Sequence, residues 1–308
     1  MEARSITVLG AFMVDLVCRT DRMPVWGETL RGNSFAAGPG GKGSNQAVAA
    51  ARLGTEVNLI TRLGKDNFAT MARDLYRAEG MSTEFVSEDI EHATGTASIV
   101  VDDARGENAI LIVPGACDSM QSSDIDVAAD AINESALFIT QLELPMELCR
   151  HGIALARQHA VPVLLNPAPA VELPADLYQQ IAYITPNETE AGILVGRTLT
   201  TQNDVVDAAH ELRERGVTNV LITLGEKGVY VSGPEFEGVI PAVKAGPVIE
   251  TTGAGDAFNG GLAAALAEGQ SLEDAARFGN VVAGLSVTRQ GAAISMPTRE
   301  EVNQVMAR

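Results

Sequence analysis

The chemistry of this chain is most legible at Glu250-Thr251-Thr252-Gly253-Ala254-Gly255-Asp256-Ala257-Phe258. Two glycines relieve steric limits in a turn, and residues 257–267 that follow are small and apolar at helical spacing. The pattern predicts a loop that turns directly into a helix. A helix start carries unpaired backbone N–H groups and the positive end of the helix dipole, so Gly253, Ala254 and Gly255 can wrap donors around an anion. Asp256 falls in the first turn beside that anion site. Two readings of it stand open. It caps the helix, the usual role of Asp there, or it takes a proton from an attacking group.

Three other stretches carry possible chemistry. Gly38-Pro39-Gly40-Gly41-Lys42-Gly43 fits the dinucleotide pattern G-x-G-x-x-G. That pattern belongs in the first strand–turn–helix of its fold, whereas the first strand here ends at Gly10 with no such turn. The alternatives are a structural turn, or backbone opened for a small polar ligand beside Lys42 and Asn45. Asn187 and Glu190 stand three apart after a strand ending at Thr185-Pro186, so a helix puts them on one face. They suit a hydrated Mg²⁺ and equally a reciprocal cap. Thr223-Leu224-Gly225-Glu226-Lys227-Gly228 ends another strand with two glycines, leaving room for a flat base or phosphates, or forming an ordinary turn.

The elements that must position these residues follow from periodicity. Apolar runs at 6–10, 57–61, 136–140, 161–165, 183–185 and 220–223 alternate with helical patterns at 44–53, 68–78, 128–133, 145–159, 188–195 and 204–215. This rhythm implies a parallel sheet covered on both faces. A hairpin is expected over 229–241, then helices at 257–267, 272–288 and from 299. Two excursions break the rhythm. Residues 13–37 read as two or three exposed strands and 94–114 as a hairpin, and the two can pair into a small separate sheet. The expectation is one α/β domain over 1–308 with a lid of about 13–37 and 94–114.

Bulk composition narrows the partners. The 308 residues are 46% hydrophobic and carry 22 basic against 40 acidic residues, a net charge of −18. Nucleic acid and anionic membrane surfaces are disfavoured. Any bound phosphate must rely on backbone donors, a metal ion and a few local cations. Cys18, Cys117 and Cys149 are far apart in sequence and make no C-x-x-C pair, which fits reduced thiols rather than zinc. No apolar run approaches the ~18 residues of a membrane helix, and no leader-like segment precedes the first strand. A cytoplasmic protein is expected.

Gly40-Gly41-Lys42-Gly43 with Asn45-Gln46-Ala47, Gln141-Leu142-Glu143, Asn166-Pro167-Ala168-Pro169, Pro186 through Glu190, Thr223-Leu224-Gly225 and Gly253-Ala254-Gly255-Asp256 occur in this order. Together they resemble the ribokinase (PfkB-type) carbohydrate kinase family across nearly the whole chain. The resemblance implies a three-layer α/β/α sandwich with a mostly parallel sheet, and a small β lid that often mediates a homodimer. It also implies ATP, Mg²⁺, transfer of a phosphoryl group to a sugar's primary hydroxyl, and a monovalent cation such as K⁺. By position, Asp256 resembles the catalytic base, and Gly253, Ala254 and Gly255 the anion hole. Asp15, Gly41, Lys42, Asn45 and Glu143 resemble sugar contacts. Asn187 and Glu190 resemble the pair that organises Mg²⁺ and phosphates. Thr223, Gly225, Gly228 and Asn280 fall in the nucleotide pocket, which Gly255 and Asn187 also border. Glu250, Thr252, Ser286, Arg289, Gly291 and Ser295 fall at cation-loop positions.

Two departures from the family bear on function. Met13 stands where ribokinases usually carry Asn. A thioether cannot donate to a hydroxyl, and Met13-Val14-Asp15 resembles the deoxyribokinase branch. The expected substrate is therefore 2-deoxyribose or ribose, with 2-deoxyribose preferred; Met13 as a simple gap-filler is the alternative. Glu250 stands where Asp is common, which alters how that carboxylate reaches an ion. A kinase for a nucleoside or other sugar, and a non-catalytic sugar-binding relative, are the competing functions.

Overall fold

Short runs of branched apolar residues become strands here because helices bury both of their faces. The computed structural model describes residues 5–307. Its strands are β1 (Ile6–Leu9), β2 (Met13–Thr20), β3 (Ser34–Gly40), β4 (Val57–Gly64), β5 (Val86–Asp89), β6 (Gly95–Asp102) and β7 (Glu107–Val113). They continue with β8 (Leu137–Thr140), β9 (Val163–Leu165), β10 (Tyr183–Ile184), β11 (Asn219–Thr223), β12 (Val229–Ser232) and β13 (Glu237–Ile240). The first helices are α1 (Lys42–Arg52), α2 (Asn67–Ala78), α3 (Ser122–Asp126), α4 (Ala129–Glu134) and α5 (Met146–Gln158). The others are α6 (Glu188–Val195), α7 (Gln202–Glu214), α8 (Ala254–Ala267), α9 (Leu272–Ser286) and α10 (Arg299–Met306).

Successive strand residues point to opposite faces. Val8, Ile139, Leu164 and Leu221 join an apolar cluster with Ala47 of α1, Leu262 of α8 and Val282 of α9. Leu9, Phe138, Leu165 and Ile222 join a second one with Ile153 of α5, Leu194 of α6 and Leu212 of α7. The result is a helix–sheet–helix sandwich. The sheet has nine strands in the order β13-β12-β11-β10-β9-β8-β1-β4-β5. The pairs from β11 through β5 are parallel, and β12 and β13 add an antiparallel edge.

Chain order places the site. β1 lies between β4 and β8, so the chain runs first to one edge and then returns to build the other half. Parallel sheets bind ligands at the carboxyl ends of strands beside such a reversal. The residues leaving those ends here are Gly10 after β1, Gln141 after β8, Asn166 after β9, Thr185 after β10 and Leu224 after β11.

The two excursions do form one small sheet, in the order β3-β2-β6-β7. β2 runs antiparallel to β3 and parallel to β6, and Met13 faces Gly40 on one side and Gly95 on the other. Three local expectations change. Gly38–Gly40 are not a turn but the end of β3, paired with Met13, Val14 and Asp15. β5 and the short α3 were not anticipated from periodicity. α8 begins at Ala254 rather than at 257, and Asp256 falls in its first turn as expected. Among the described residues no helix is long and apolar enough to cross a membrane, and all three cysteines are unpaired.

Candidate active site

Two helix starts meet at the carboxyl edge of the sheet. α8 is entered through Gly253, whose φ of 76° is left-handed and suits glycine. α1 and α8 pack closely, since a Cβ on Gly260 would come 2.4 Å from Ala49 Cβ. That approach brings two side chains of α1 to the carboxylate of Asp256. Asn45 Nδ2 donates to its Oδ2 at 2.9 Å and Gln46 Nε2 to its Oδ1 at 3.0 Å. α8 has no side-chain cap hydrogen bond. The capping alternative for Asp256 therefore fails, and the carboxylate is buried at 6% exposure.

The expected anion hole has fewer open donors among Gly253, Ala254 and Gly255 than the spacing predicts. The Ala254 N–H turns back to the Thr251 carbonyl at 3.1 Å. The N–H groups of Gly253, Gly255 and Asp256 have no acceptor among the described residues. A Cβ on Gly255 would meet nothing within 4 Å. These donors border a cavity of about 180 Å³ lined by Lys42, Thr185, Asn187, Glu190, Thr223, Thr251 and Asp256, among others.

One cation serves four carboxylates. Burial opposes charge on Lys42, yet Asp256, Glu143, Glu190 and Asp15 hold its ammonium above the ordinary lysine value. Its backbone N–H donates to Glu143 Oε2 at 2.8 Å. Burial, helped by the Asp256 and Asp15 charges and opposed by Lys42, pushes Glu143 up to about 7. Asp15 rises to about 6, through burial first and then Asp256 and Glu250. Gly40 permits Asp15 to sit there, because a Cβ would fall 2.4 Å from its Oδ2. Asn45 Oδ1 is buried with no hydrogen-bond partner, and its amide orientation is fixed because Nδ2 faces a carboxylate. A buried acceptor of this kind suits a ligand hydroxyl.

Asn187 and Glu190 form the reciprocal cap. Asn187 Oδ1 accepts from the Glu190 N–H and Glu190 Oε2 from the Asn187 N–H, both at 2.8 Å. Glu190 still borders the cavity, and burial, opposed by the Asn187 N–H and Lys42, raises its pKa. Its Oε1 has no hydrogen-bond partner among the described residues. Thr223 borders the same cavity.

The outer positions separate. Gly225 faces open space, but a Cβ on Gly228 would lie 2.1 Å from the Ile240 carbonyl oxygen. Gly228 is a packing glycine there, not an opening for a base. Asn280 Nδ2 donates to the carbonyls of Ile240 and Pro241, tying down the chain after β13. Glu250 accepts from the Gly291 N–H at 3.1 Å, and the N–H groups of Ile249 and Glu250 reach the Val287 carbonyl. The expected cation-loop segments therefore meet. Their side chains are partly engaged elsewhere: Ser286 and Ser295 hydroxyls donate to the Ala283 and Ala292 carbonyls, and Arg289 pairs with Glu301. Met13 is 2% exposed, in the apolar cluster that includes Cys117 and Leu142.

Sequence reasoning assigned no role to Gln46, Gln141, Asn166 or Asn259. All four are buried polar residues next to the site. The available signal was their position: Gln141 and Asn166 directly follow the apolar strands β8 and β9.

Residues 3–299 match the model of the pfkB family of carbohydrate kinases, and the chain belongs to that family. It is a ribokinase-type sugar kinase, a phosphotransferase that acts on an alcohol group. It is 38% identical to the ribokinase of Bacillus subtilis over 304 residues, 99% of this chain and 100% of that one. Identity to the deoxyribokinase of Salmonella typhi is also 38%, over 303 residues and 98% of each chain. The Arabidopsis thaliana ribokinase complexed with ribose and ATP superposes with a TM-score of 0.90 at 29% identity, covering 99% of both chains.

Proposed function

We propose that this chain is an ATP-dependent pentose kinase that phosphorylates the 5-hydroxyl of 2-deoxyribose or ribose, with Asp256 as the base. The observation that carries the reading is the buried Asp256 carboxylate at a helix start, aimed by two amides and flanked by unpaired backbone N–H groups. Asp15, Glu143 and the open Asn45 Oδ1 supply acceptors for sugar hydroxyls, and Lys42 balances their charge. Gly41 is the residue from which α1 starts, with a left-handed φ of 86°. As the hydroxyl attacks, Asp256 removes its proton, and the N–H groups of Gly253, Gly255 and Asp256 stabilise charge on the migrating phosphoryl group. With the net charge of −18 opposing an anion, these local donors are what holds it.

Glu190 Oε1, with Asn187 beside it, is suited to hold Mg²⁺ through water, and the ion would neutralise phosphate charge. The nucleotide lies across Thr223 and Gly225. Glu250, with the backbone of Thr252 and Gly291, would hold a monovalent cation such as K⁺. Arg289, Ser286 and Ser295 contribute through backbone only, given their side-chain partners.

The preference for 2-deoxyribose rests on Met13, whose thioether leaves a 2-hydroxyl without a partner there; an unpaired buried hydroxyl costs about 1–3 kcal/mol. One sugar panel with ATP tests the function, and direct competition of ribose with 2-deoxyribose tests the preference. Turnover of neither pentose removes the first; equal kcat/KM, or a preference for ribose, removes the second. A second copy of the chain is proposed to cover the lid, where every residue of β7 is exposed, including Ile110, Leu111, Ile112 and Val113. A monomeric mass in solution contradicts that pairing.

A further inference from the structure

A chain of buried side-chain amides runs beneath Asp256, and beyond the Gln46 contact itself no step above uses it. Gln46 Nε2 donates to Asp256 Oδ1 and to Asn166 Oδ1, both at 3.0 Å. Gln46 Oε1 accepts from Gln141 Nε2 at 2.7 Å. Asn166 Nδ2 donates to the Thr185 carbonyl at 3.0 Å. Gln46, Gln141 and Asn166 are all buried.

An ionised carboxylate only accepts hydrogen bonds. Gln46 must therefore present its NH₂ to Asp256, which turns its carbonyl toward Gln141. Gln141 must then donate. The second hydrogen of Gln46 requires the Asn166 carbonyl, so the Asn166 NH₂ goes to the Thr185 carbonyl. Each direction follows from the one before. Flipping any single amide sets donor against donor or acceptor against acceptor.

We infer that Gln46 is a positioning residue for the transfer, holding the Asp256 carboxylate ionised and in one orientation, with Gln141 and Asn166 locking Gln46 from the ends of β8 and β9. The inference rests on Asp256 being the base. With Asn45 on Oδ2 and Gln46 on Oδ1, each oxygen keeps a lone pair for the incoming proton. A protonated carboxyl accepts an amide N–H less strongly than a carboxylate does, so the Gln46 bond opposes premature protonation. The charged groups around Asp256 are Lys42 on α1, Asp15 on β2, Glu143 after β8 and Glu190 on α6. Lys42 and the positive start of α8 are the favourable charges there, and Asn45 and Gln46 are the side-chain donors on its oxygens.

The test is Gln46→Met, similar in length but without a donor, in the full chain with ATP and the better of the two pentoses. The expected result is a fall in kcat of about 10- to 100-fold, the scale of one hydrogen bond to a charged group. Sugar and ATP KM stay within about threefold, and the acid limb of the kcat–pH profile moves up by about one unit. Gln141→Met, one amide further away, moves the limb the same way by less, and carries the test alone if Gln46→Met does not fold. In an Asp256→Asn background Gln46→Met lowers the residual rate no further, because the two act as a unit. An unmoved acid limb, a loss confined to KM, or a full additional loss in the Asp256→Asn background overturns the inference. Loss of activity in Asp256→Asn with wild-type behaviour in Gln46→Met overturns this inference alone; full activity in Asp256→Asn overturns the base assignment beneath it.

Discussion

Replacing Gly40 by alanine isolates what Asp15 does. The added Cβ would lie 2.4 Å from Asp15 Oδ2 and 2.6 Å from its Cγ and Oδ1. Non-bonded atoms settle at about 3.5 Å, so the carboxylate must retreat by roughly 1 Å. The main chain tolerates the change, because Gly40 is not among the positive-φ glycines, and β3 keeps its pairing with Met13. Folding stability should therefore change little. Binding should change more. A carboxylate displaced by that distance loses a charged hydrogen bond to a sugar hydroxyl, worth about 1.5–3 kcal/mol. That converts to a sugar KM raised by roughly 10- to 150-fold. The assay is a coupled kinase measurement varying sugar at saturating ATP and then the reverse, with a thermal melt alongside. A sugar KM within twofold of wild type, or an equal rise in ATP KM, refutes the placement of Asp15 against the sugar.

Two further outcomes follow from the site's electrostatics. Glu143 lies at about 7 in the fold against an ordinary 4.5, so the folded state binds its proton more tightly than the unfolded chain. The stability this confers is complete below about pH 4.5 and is lost as pH rises through about 7. The apo-protein's melting temperature should therefore fall between pH 5 and 8, and more steeply than in Glu143→Gln; calorimetry showing identical slopes contradicts it. Glu190→Gln preserves the reciprocal cap, since Gln also serves in a capping box. It removes the charge facing the cavity, so the Mg²⁺ concentration for half-maximal rate should rise about tenfold with the melt unchanged, one pH-independent contact being worth roughly that. An unchanged Mg²⁺ titration removes Glu190 from the metal's surroundings.

Much of the framework was legible because it depends on period and composition. Runs such as Leu137–Thr140 are apolar on both faces, and only a covered parallel sheet buries both. The lid was legible because residues 13–37 and 94–114 interrupt that rhythm. β5 was not, because Val-Ser-Glu-Asp has one apolar residue and borrows its strand character from pairing with β4 at the sheet's edge. Gly38–Gly40 resembled a turn, since nothing in a glycine run discloses that β2 will pair with it. Gly225 and Gly228 are alike in sequence, yet one faces open space and the other accommodates the backbone around Ile240. The amides of Gln46, Gln141 and Asn166 are 95 or more residues apart from partner to partner where Gln46 is concerned. Their meaning lies in who meets whom across the sheet, a tertiary property that local pattern does not carry. Asp256 had two roles in sequence; the closeness of α1 brings Asn45 and Gln46 to its oxygens and removes the capping one.

The central claim is that Asp256 takes the proton from the attacking alcohol. The most direct measurement is the kcat of Asp256→Asn with ATP and pentose at saturation, beside a melt that shows the variant folded. Removing a positioned base should lower kcat by about 10²- to 10⁴-fold while both substrates still bind. A folded variant that forms sugar phosphate at the wild-type rate contradicts it.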